Sequence, residues 1–467
     1  MKIKKIFKNL SYSVIANGTN TLVSMILVLF VPKILSVREY SYWQLYLFYA
    51  SYVGFFHFGW ADGIYLRFGG KKYEELDKKY FHMQFWLLSI FEVFVAVIFC
   101  GISFFMPDVN KQVVIRAVGI CCVLQLPRTL LQYLLQTTNR ITDYAKNYLF
   151  EKIIYAILVV VALAAGIRQF EILVLADLVA RLVTLILLIR ECKDIVFIKI
   201  EHLFDGLKEA WVNVNVGIKL MFANIASQLL IGIVRWAIQN KWSVETFGKV
   251  SLSITASNLL MVFISAVSVV LYPLLKDINS EKYVEIYTKI RTILMVVVLG
   301  MLIVYYPAKV ILSWWLPQYA ESLKYMALLF PMCVFESKMT MLINTYLKAL
   351  REEKAIMLIN WAVVIITIIS TAIFVYGMGN LLFAIVSLTF LIGTRCSIGE
   401  LYLAKTLGFS PIKDIIYEWL MVIVFMFVSW KIDSWLSFVI YAVVYLIYML
   451  VKRGEVKEVI SMVKKSV

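Results

Sequence analysis

Runs of about twenty apolar residues, separated by short polar segments, recur along the whole 467-residue chain. About twenty such residues let an α-helix cross the hydrocarbon core of a bilayer. Hydrophobic residues make up 62% of the sequence and charged residues 16%, so the chain is too apolar for a soluble protein. We therefore predict an all-α integral membrane protein with about 14 transmembrane helices. They lie near residues 11–35, 43–66, 81–105, 113–136, 148–166, 171–190, 216–238, 248–274, 290–312, 323–347, 356–376, 380–404, 414–430 and 435–451.

Positive charge is distributed unevenly between the predicted loops. With the N-terminus in the cytoplasm, cytoplasmic segments hold about 30 of the 46 Lys and Arg residues, external loops about 7 and spans about 9. An excess of Lys and Arg marks cytoplasmic loops, so we expect both termini in the cytoplasm. This topology accounts for the net charge of +16, and no nucleic-acid partner is expected. The longest polar connection, about residues 191–213, is too short for a soluble catalytic domain.

Short sequence matches indicate an internal duplication. "SVREY" at 36–40 recurs as "SVETF" at 243–247, an offset of 207 residues (243 − 36), and "AN" at 16–17 recurs at 223–224 with the same offset. The two "AN" pairs lie near the starts of the first and seventh predicted spans, and "SVREY" and "SVETF" lie in the loops that follow those spans. Since six helices separate those spans, the two halves would cross the membrane in the same direction, as parallel repeats.

A further match pairs "LLQTTNR" (134–140) with "YLKALRE" (346–352), at the ends of the fourth and tenth spans. In transporters built from repeats, the substrate site lies between the halves near the bilayer midplane. We predict two parallel-repeat six-helix lobes around a central cavity, followed by two C-terminal helices. The lobes cover 1–200 and 201–404, and 405–467 holds the last two helices and a cytoplasmic tail.

Polar side chains line one face of several spans. At 100° per residue, Gln125, Arg128, Gln132 and Gln136 fall within an arc of roughly 80° on the fourth span. Polar side chains in such a stripe would be unfavourable on a helix face that contacts lipid. Similar stripes comprise Asn17 and Asn20 on the first span, Gln44 and Asp62 on the second, Asp177, Arg181 and Thr184 on the sixth, and Asn224 and Arg235 on the seventh.

Four intramembrane cations, Arg128, Arg181, Lys338 and Arg395, indicate where the cavity lies. Each costs roughly 2.5–3.5 kcal/mol at the centre of a span facing lipid, or on the order of 10 kcal/mol together. That is comparable with the entire net stability of a typical domain, about 5–15 kcal/mol. These side chains must therefore face water, a partner residue or a ligand.

Arg128 follows Pro127, and no acidic residue lies within a helical turn of it. Proline removes a backbone N–H and loosens the helix at this point. Two roles stay open for Arg128. It contacts the substrate directly, or it forms an ion pair with an acidic residue such as Asp62 or Glu336.

The other cations have acidic residues closer in the sequence. Asp177 and Arg181 are four residues apart on one helix face, so an ion pair and a substrate contact are equally expected. Arg395 is expected to pair with Glu400. A structural pairing is also the favoured role of Glu92 and Glu418.

The substrate that these groups suit is a large anion with many hydroxyls. The planar fork of arginine binds two phosphate oxygens at once, and amide and hydroxyl side chains suit sugar hydroxyls. The candidate substrate-binding residues are Arg128, Arg181, Arg235, Lys338, Arg395, Gln125, Gln132, Asn17, Asn20 and Asn224. The scattered cysteines and the three histidines predict neither disulfides nor a metal site.

Three segments carry a family resemblance: "VPKILSVREYSYWQLY" (31–46), "FGWADGIYLRFGG" (58–70) and "LLQTTNRITDYAKNYLFEKI" (134–153). With these segments and fourteen predicted spans, the chain resembles bacterial polysaccharide repeat-unit flippases of the O-antigen, capsule and teichuronic type. These belong to the MATE-like multidrug/oligosaccharidyl-lipid/polysaccharide exporter superfamily. The resemblance covers the whole length.

This resemblance implies two six-helix lobes in a V, alternating access and two extra C-terminal helices. It also implies that an undecaprenyl-pyrophosphate-linked oligosaccharide moves from the cytoplasmic to the outer leaflet of the bacterial cytoplasmic (inner) membrane. Arg128, Arg181 and Arg235 resemble in kind the cations that line the family's cavity. Ion gradients commonly drive such transporters, so Asp62, Glu92 and Asp177 are candidate coupling residues.

The resemblance further implies a monomeric carrier, not an enzyme, without a cofactor. Its expected partners are the lipid-linked oligosaccharide and membrane lipids, with the polysaccharide polymerase and glycosyltransferases as further candidates.

A lipid II flippase would have almost the same fold and charge, and stays an alternative. A multidrug antiporter would favour acidic residues and twelve spans, whereas the spans here hold about 9 Lys and Arg against about 6 Asp and Glu. A membrane glycosyltransferase or polymerase would need a sizeable catalytic loop.

Overall fold

The computed structural model describes residues 23, 26–199, 205–258, 261, 283–432 and 434–466. Within these ranges every regular element is helical, which confirms the predicted all-α fold. The chain divides into two compact units, Met1–Ile225 and Ala226–Val467. The boundary between them falls inside one continuous helix.

Among the described residues, eight helices of at least nine residues lie wholly or partly in unit 1. They are α1 (26–34), α2 (Val37–Ala50), α3 (Trp60–Phe68), α4 (Lys78–Ser103), α5 (Val109–Thr137), α6 (Ile141–Ala164), α7 (Phe170–Glu191) and the first part of α8 (Gly206–Lys241). Unit 2 holds the rest of α8, then α9 (Val244–Asn258), α10 (Tyr283–Trp315), α11 (Met326–Ala349), α12 (Glu353–Gly377), α13 (Leu381–Leu407), α14 (Ile412–Lys431) and α15 (Trp435–Ser466).

Among the described residues, 10 helices are long and apolar enough to cross a membrane: α4 to α8, α10 to α13, and α15. Each overlaps a span predicted from the sequence, and the chain is a multi-pass membrane protein. Helix α14 coincides with the predicted span 414–430. The predicted spans 11–35 and 248–274 extend outside the described residues.

The second predicted span, 43–66, is wrong as a single helix. Helix α2 ends at Ala50, and α3 begins only after Gly59. Phe58 and Gly59 have φ angles of +51° and +84°, a left-handed backbone that a right-handed helix excludes. The amide of Gly59 donates to Nδ1 of His57 at 3.0 Å, which satisfies the donor at this break.

The repeated "SVREY" and "SVETF" segments begin helices in the same way. Ser36 Oγ accepts a hydrogen bond from the amide of Glu39 at 3.3 Å, and Ser243 Oγ accepts one from the amide of Thr246 at 3.2 Å. A serine cap of this kind satisfies a donor that the first turn leaves free. The matching letters therefore encode matching N-caps of α2 and α9.

The second repeated pair also has matching structure. Asn139 and Arg351 adopt left-handed conformations, with φ of 60° and 59°. In both cases the next amide donates to the carbonyl five residues earlier, at 2.8 Å. These contacts end α5 and α11 in the same way and support an internal duplication.

One helix lies at the centre of each unit. Helix α5 packs against α2, α3, α4 and α7, and α11 packs against α9, α10, α13 and α14. These are the helices that end in the matched "LLQTTNR" and "YLKALRE" segments. Each carries a buried cation: Arg128 is 2% exposed and Lys338 is 1% exposed.

Candidate functional site

Arg128 forms a buried ion pair with a carboxylate on the neighbouring helix. Its Nη1 lies 2.5 Å from Oε2 of Glu151 on α6 and donates to Thr184 Oγ1 of α7 at 3.0 Å. The partner is therefore Glu151, and not Asp62 or Glu336 as suggested from the sequence. Glu151 lies 23 residues further along the chain (151 − 128), and only the packing of α6 beside α5 brings it into contact.

Arg181 forms the ion pair predicted within α7. Its Nε lies 2.7 Å from Oδ2 of Asp177, and its Nη1 donates to Oε1 of Gln125 at 2.6 Å. The hydroxyl of Tyr46 on α2 also donates to Asp177 Oδ2, at 2.6 Å. Three helices therefore meet at this pair.

Amide groups extend the network around Thr184, the residue to which Arg128 donates. Gln132 donates to Oδ1 of Asn147 at 3.1 Å, and Asn147 donates to the carbonyl of Thr184 at 2.8 Å. Lys152 Nζ lies 3.6 Å from Oε1 of Glu151 and is 25% exposed. We call the whole set the unit 1 polar network: Gln125, Arg128, Gln132, Asn147, Glu151, Lys152, Asp177, Arg181 and Thr184.

The unit 1 polar network carries a net positive charge. Arg128, Lys152 and Arg181 provide three positive charges, and Glu151 and Asp177 provide two negative charges. The difference, 3 − 2, leaves one excess positive charge surrounded by amides and hydroxyls. Such a site is suited to an anion that also offers hydroxyl groups.

Four tyrosines lie next to this network, and sequence reasoning did not single them out. The rings of Tyr65 and Tyr133 are 5.2 Å apart, and those of Tyr144 and Tyr148 stack at 6.3 Å. Tyr144 lies within electrostatic reach of Tyr65 and of Arg128. We call these four residues the tyrosine cluster.

A sequence signal for part of this cluster exists on α6. Tyr144, Tyr148 and Lys152 follow one another at intervals of four residues, so they share a helix face. The ammonium of Lys152 lies 5.8 Å from the centre of the Tyr148 ring. Aromatic faces beside a cation provide stacking surfaces for sugar rings next to a site for a charged group.

Lys338 lies in a second buried network, in unit 2. Its ammonium contacts Oε2 of Glu400 at 2.6 Å and also pairs with Glu418. Arg291 contacts the same two carboxylates: its Nε lies 2.5 Å from Oε1 of Glu400, and its Nη2 lies 2.6 Å from Oε1 of Glu418. Arg291 also contacts Asp414 of α14, so the two cations are fully matched by carboxylates, and Lys338 is 1% exposed. Lys338 thereby joins α10, α11, α13 and α14.

The expected pairing of Arg395 with Glu400 is wrong. Arg395 pairs instead with Glu336 of α11, while Glu400 is held by Arg291 and Lys338. Positions five apart are turned by about 140° around a helix, so Arg395 and Glu400 point in different directions. Like Glu418, whose structural pairing was expected, Arg395 is anchored to another helix.

The remaining substrate candidates are spread over other helices. Arg235 donates to Ser251 Oγ at 2.9 Å within unit 2. Asn224 is an exposed residue of α8. Asn17 and Asn20 lie outside the described residues.

The three acidic coupling candidates have different surroundings. Asp177 is in the ion pair with Arg181, and Asp62 is buried with its Oδ2 3.8 Å from Nε2 of His57. Glu92 of α4 is fully buried, and neither of its carboxylate oxygens has a hydrogen-bond partner in the described part of the chain. The structural pairing that we favoured for Glu92 is therefore not found among these residues.

The helical fold is similar to that of several solved transporter structures. A solved structure of the lipid II flippase MurJ, in an inward closed conformation, matches with a TM-score of 0.61 and 14% identity, over 96% of this chain and 99% of that one. An inward-facing multidrug resistance MATE family transporter of the MOP superfamily matches with a TM-score of 0.58 and 11% identity, over 85% and 94% of the two chains. An outward-facing MATE family transporter gives 0.54 and 12%, over 86% and 96%. No family model and no curated protein matches the sequence.

Proposed function

We propose that this protein is a flippase for an undecaprenyl-pyrophosphate-linked oligosaccharide repeat unit. It moves this lipid from the cytoplasmic to the outer leaflet of a bacterial cytoplasmic membrane by alternating access, and so serves surface polysaccharide synthesis. The shared fold with a lipid II flippase and with MATE transporters supports a transport function. Membrane glycosyltransferases supply the substrate, and a polymerase consumes it.

The observation that carries this proposal is the net positive unit 1 polar network. Its three cations against two carboxylates favour an anionic substrate, and its amides favour hydroxyl groups. A carrier for cationic drugs would favour the opposite balance of charge. The tyrosine cluster beside the network supplies stacking surfaces for sugars.

The ion pairs suggest how the empty carrier keeps its charges stable. Arg128 is paired with Glu151, so each of these two buried charges has a partner when substrate is absent. A diphosphate would replace Glu151 as the partner of Arg128, and the original pair would form again after release. Lys152, which is 25% exposed, is the network's more accessible cation and would meet the diphosphate first.

A lipid II flippase is the second candidate function. The match to MurJ covers 96% of this chain. Lipid II also carries a diphosphate and sugars, so the same network would serve it. Transport of both lipids in reconstituted vesicles separates the two functions.

The decisive experiment uses Arg128→Ala, Glu151→Ala and the double variant. Removing one partner of a buried pair costs about 3–5 kcal/mol, because the other charge stays buried and unpaired. We expect the double variant to recover normal abundance and thermal stability but to lose surface polysaccharide. The readouts are membrane abundance, melting temperature and export in a strain that lacks the natural gene.

Glu151→Gln serves as the control, since it keeps Arg128 and removes only the negative charge. We expect this variant to retain partial export. Full export by the stable double variant would contradict a substrate contact at Arg128. Arg128→Glu should export less than Arg128→Ala, because a carboxylate repels a diphosphate.

A further inference from the structure

Asp62 is a buried carboxyl group of unit 1 that the unit 1 polar network does not use. It lies in the first turn of α3 and is 6% exposed. Among the described residues its one ion-pair partner is His57, whose Nε2 lies 3.8 Å from Oδ2 of Asp62. This distance is longer than a hydrogen bond, which spans about 2.7–3.2 Å. The described part of the chain therefore leaves the oxygens of Asp62 able to accept hydrogen bonds.

The surroundings of Asp62 stabilise a carboxylate without occupying its oxygens. The first turn of a helix carries a partial positive charge, which favours a negative group. Nδ1 of His57 accepts from the amide of Gly59 at 3.0 Å, so the neutral ring carries its proton on Nε2, the nitrogen closer to Asp62. Both effects are electrostatic. They explain why a carboxylate is stable here, and they leave it available to a ligand.

Two tyrosines lie beside Asp62. Tyr65 is three residues further along α3, so the two side chains share one helix face. Tyr133 of α5 lies within electrostatic reach of Asp62, and its ring is 5.2 Å from the ring of Tyr65. Tyr65 is 39% exposed and Tyr133 is partly buried, so both rings keep open surface for a ligand. Asp62 thus adds a carboxyl group at the edge of the tyrosine cluster.

The tyrosine cluster connects Asp62 with the cations of the unit 1 polar network. Tyr144 lies within electrostatic reach of both Tyr65 and Arg128. Tyr133 follows Arg128 by five residues on α5, which corresponds to about 7.5 Å along the helix axis. The order is therefore a carboxyl group, aromatic rings and then a cation. A substrate with its diphosphate at Arg128 would extend its sugars over the rings toward Asp62.

This arrangement has the chemistry of a sugar site. The less polar face of a sugar packs on an aromatic ring, and hydroxyls on neighbouring carbons can donate together to the two oxygens of one carboxylate. An organic cation also suits tyrosines beside a carboxylate, but the net positive charge of the adjoining network disfavours it.

We propose that Asp62, Tyr65 and Tyr133 form a binding site for one sugar of the transported lipid. Asp62 accepts hydrogen bonds from two neighbouring hydroxyls, and the two tyrosines hold the face of the ring. This inference rests on the proposed function and deepens it, because it assigns to Asp62 a contact with substrate in place of ion coupling.

The test measures binding of two kinds of probe to the purified full-length protein. One is undecaprenyl diphosphate without sugar, and the other is the same lipid carrying a single glucose, galactose or N-acetylglucosamine. We expect at least one sugar to raise the affinity about tenfold, as two hydrogen bonds to a charged group allow. Asp62→Ala should abolish this gain without weakening the sugar-free lipid. Asp62→Asn should keep part of the gain, because one acceptor oxygen remains.

Asp108→Asn is the matched control, since it makes the same change 25 residues before Tyr133 (133 − 108), at the N-cap of α5. Asparagine also caps helices, so the affinity for both probes should stay unchanged. Tyr65→Leu should lower only the gain from the sugar. The melting temperature of Asp62→Ala should be unchanged or higher, because no hydrogen bond within the described chain is lost. A purely structural role of Asp62 predicts a lower one.

The results separate this inference from the proposed function. The sugar site is refuted if no sugar raises the affinity, if Asp62→Ala and Tyr65→Leu retain the gain, or if Asp108→Asn loses it equally. In each of these cases, binding of sugar-free lipid that is lost in the double variant of Arg128 and Glu151 leaves the proposed function intact. If neither kind of probe binds the unchanged protein, the proposed function fails as well. Should Asp62→Ala fail to fold, Asp62→Asn and Tyr65→Leu decide the outcome.

Discussion

Buried cations in both units have carboxylate partners on other helices. Arg128 pairs with Glu151 in unit 1, and Lys338 pairs with Glu400 and Glu418 in unit 2. Each pair replaces solvation by water with contacts inside the protein, which keeps a charge stable inside the membrane. Such pairs hold helices together at defined positions, because removal of one partner leaves the other charge uncompensated.

Glu92 differs from these residues. It is fully buried, and both of its carboxylate oxygens are without a hydrogen-bond partner within the described ranges. A buried polar group without a partner costs about 1–3 kcal/mol, so a carboxyl at this position needs a reason other than packing. We propose that Glu92 binds the coupling ion or proton during transport.

We expect Glu92→Gln to reduce polysaccharide export at least about tenfold, equivalent to about 1.4 kcal/mol in the transport barrier. Its melting temperature should stay unchanged, because glutamine has nearly the same shape. Glu92→Leu should also be inactive but more stable by about 1–3 kcal/mol, since the unpaired polar group is gone. Export rates and melting curves of both variants provide the measurement. Normal export by Glu92→Gln would assign this residue to packing alone.

At the scale of helices, α3 and α8 approach each other through glycines. A methyl group added to Gly63 would lie 1.9 Å from the carbonyl oxygen of Asn213, and one added to Gly217 would lie 2.0 Å from that of Gly59. Small residues at intervals of four allow this backbone contact, as in many pairs of membrane helices. Arg67 of α3 also donates to Asn213 at 2.6 Å.

Gly63→Ala should therefore lower the stability of the protein strongly. The added methyl would force the backbones apart, and we expect a cost at or above the upper end of about 1–3 kcal/mol. Melting of the purified protein in detergent measures this effect.

Gly101→Ala is the matched control, because it also adds a methyl within a helix but has no atom within 4 Å of the new carbon. It should leave stability unchanged or raise it by up to about 1 kcal/mol, through the helix propensity of alanine. Equal melting temperatures for Gly63→Ala and Gly101→Ala would refute the close contact of α3 with α8.

At the scale of the whole molecule, salt bridges join the last two helices to the rest of unit 2. Arg291 of α10 reaches both Glu418 and Asp414 of α14, with Nη1 3.2 Å from Asp414. Lys452 of α15 lies 2.5 Å from the same Asp414. The C-terminal helices are thus packed against α10, and we predict the orientation of this part of the chain in the membrane from its loops.

That orientation is a testable prediction. The turn at Gly379, between α12 and α13, should be external, and the turn at Gly408, between α13 and α14, should be cytoplasmic. Alkaline phosphatase fused after Gly379 should be active and the same fusion after Gly408 inactive, with the reverse for green fluorescent protein. The opposite pattern at both positions would place the termini outside.

Hydropathy and local chemistry were enough to locate most helices. The predicted span 380–404 corresponds to α13, Leu381–Leu407, because twenty apolar residues in succession favour a membrane helix whatever its neighbours. The ion pair of Asp177 with Arg181 was also predictable, since residues four apart meet on one helix face. The matching letters from which the duplication was predicted also correspond to matching helix caps in the structure.

The contacts between helices were decided only by the tertiary structure. The sequence identified Arg128 as a buried cation but not Glu151 as its partner, and it misassigned the partner of Arg395. It also missed the break of the backbone at Phe58 and the grouping of the four tyrosines. Helix formation depends on residues within a few turns, whereas an ion pair between helices depends on how whole helices pack. This is why the polar residues along α5 and α7 and the pair of Asp177 with Arg181 could be predicted from the sequence, but the partners that α6 contributes could not.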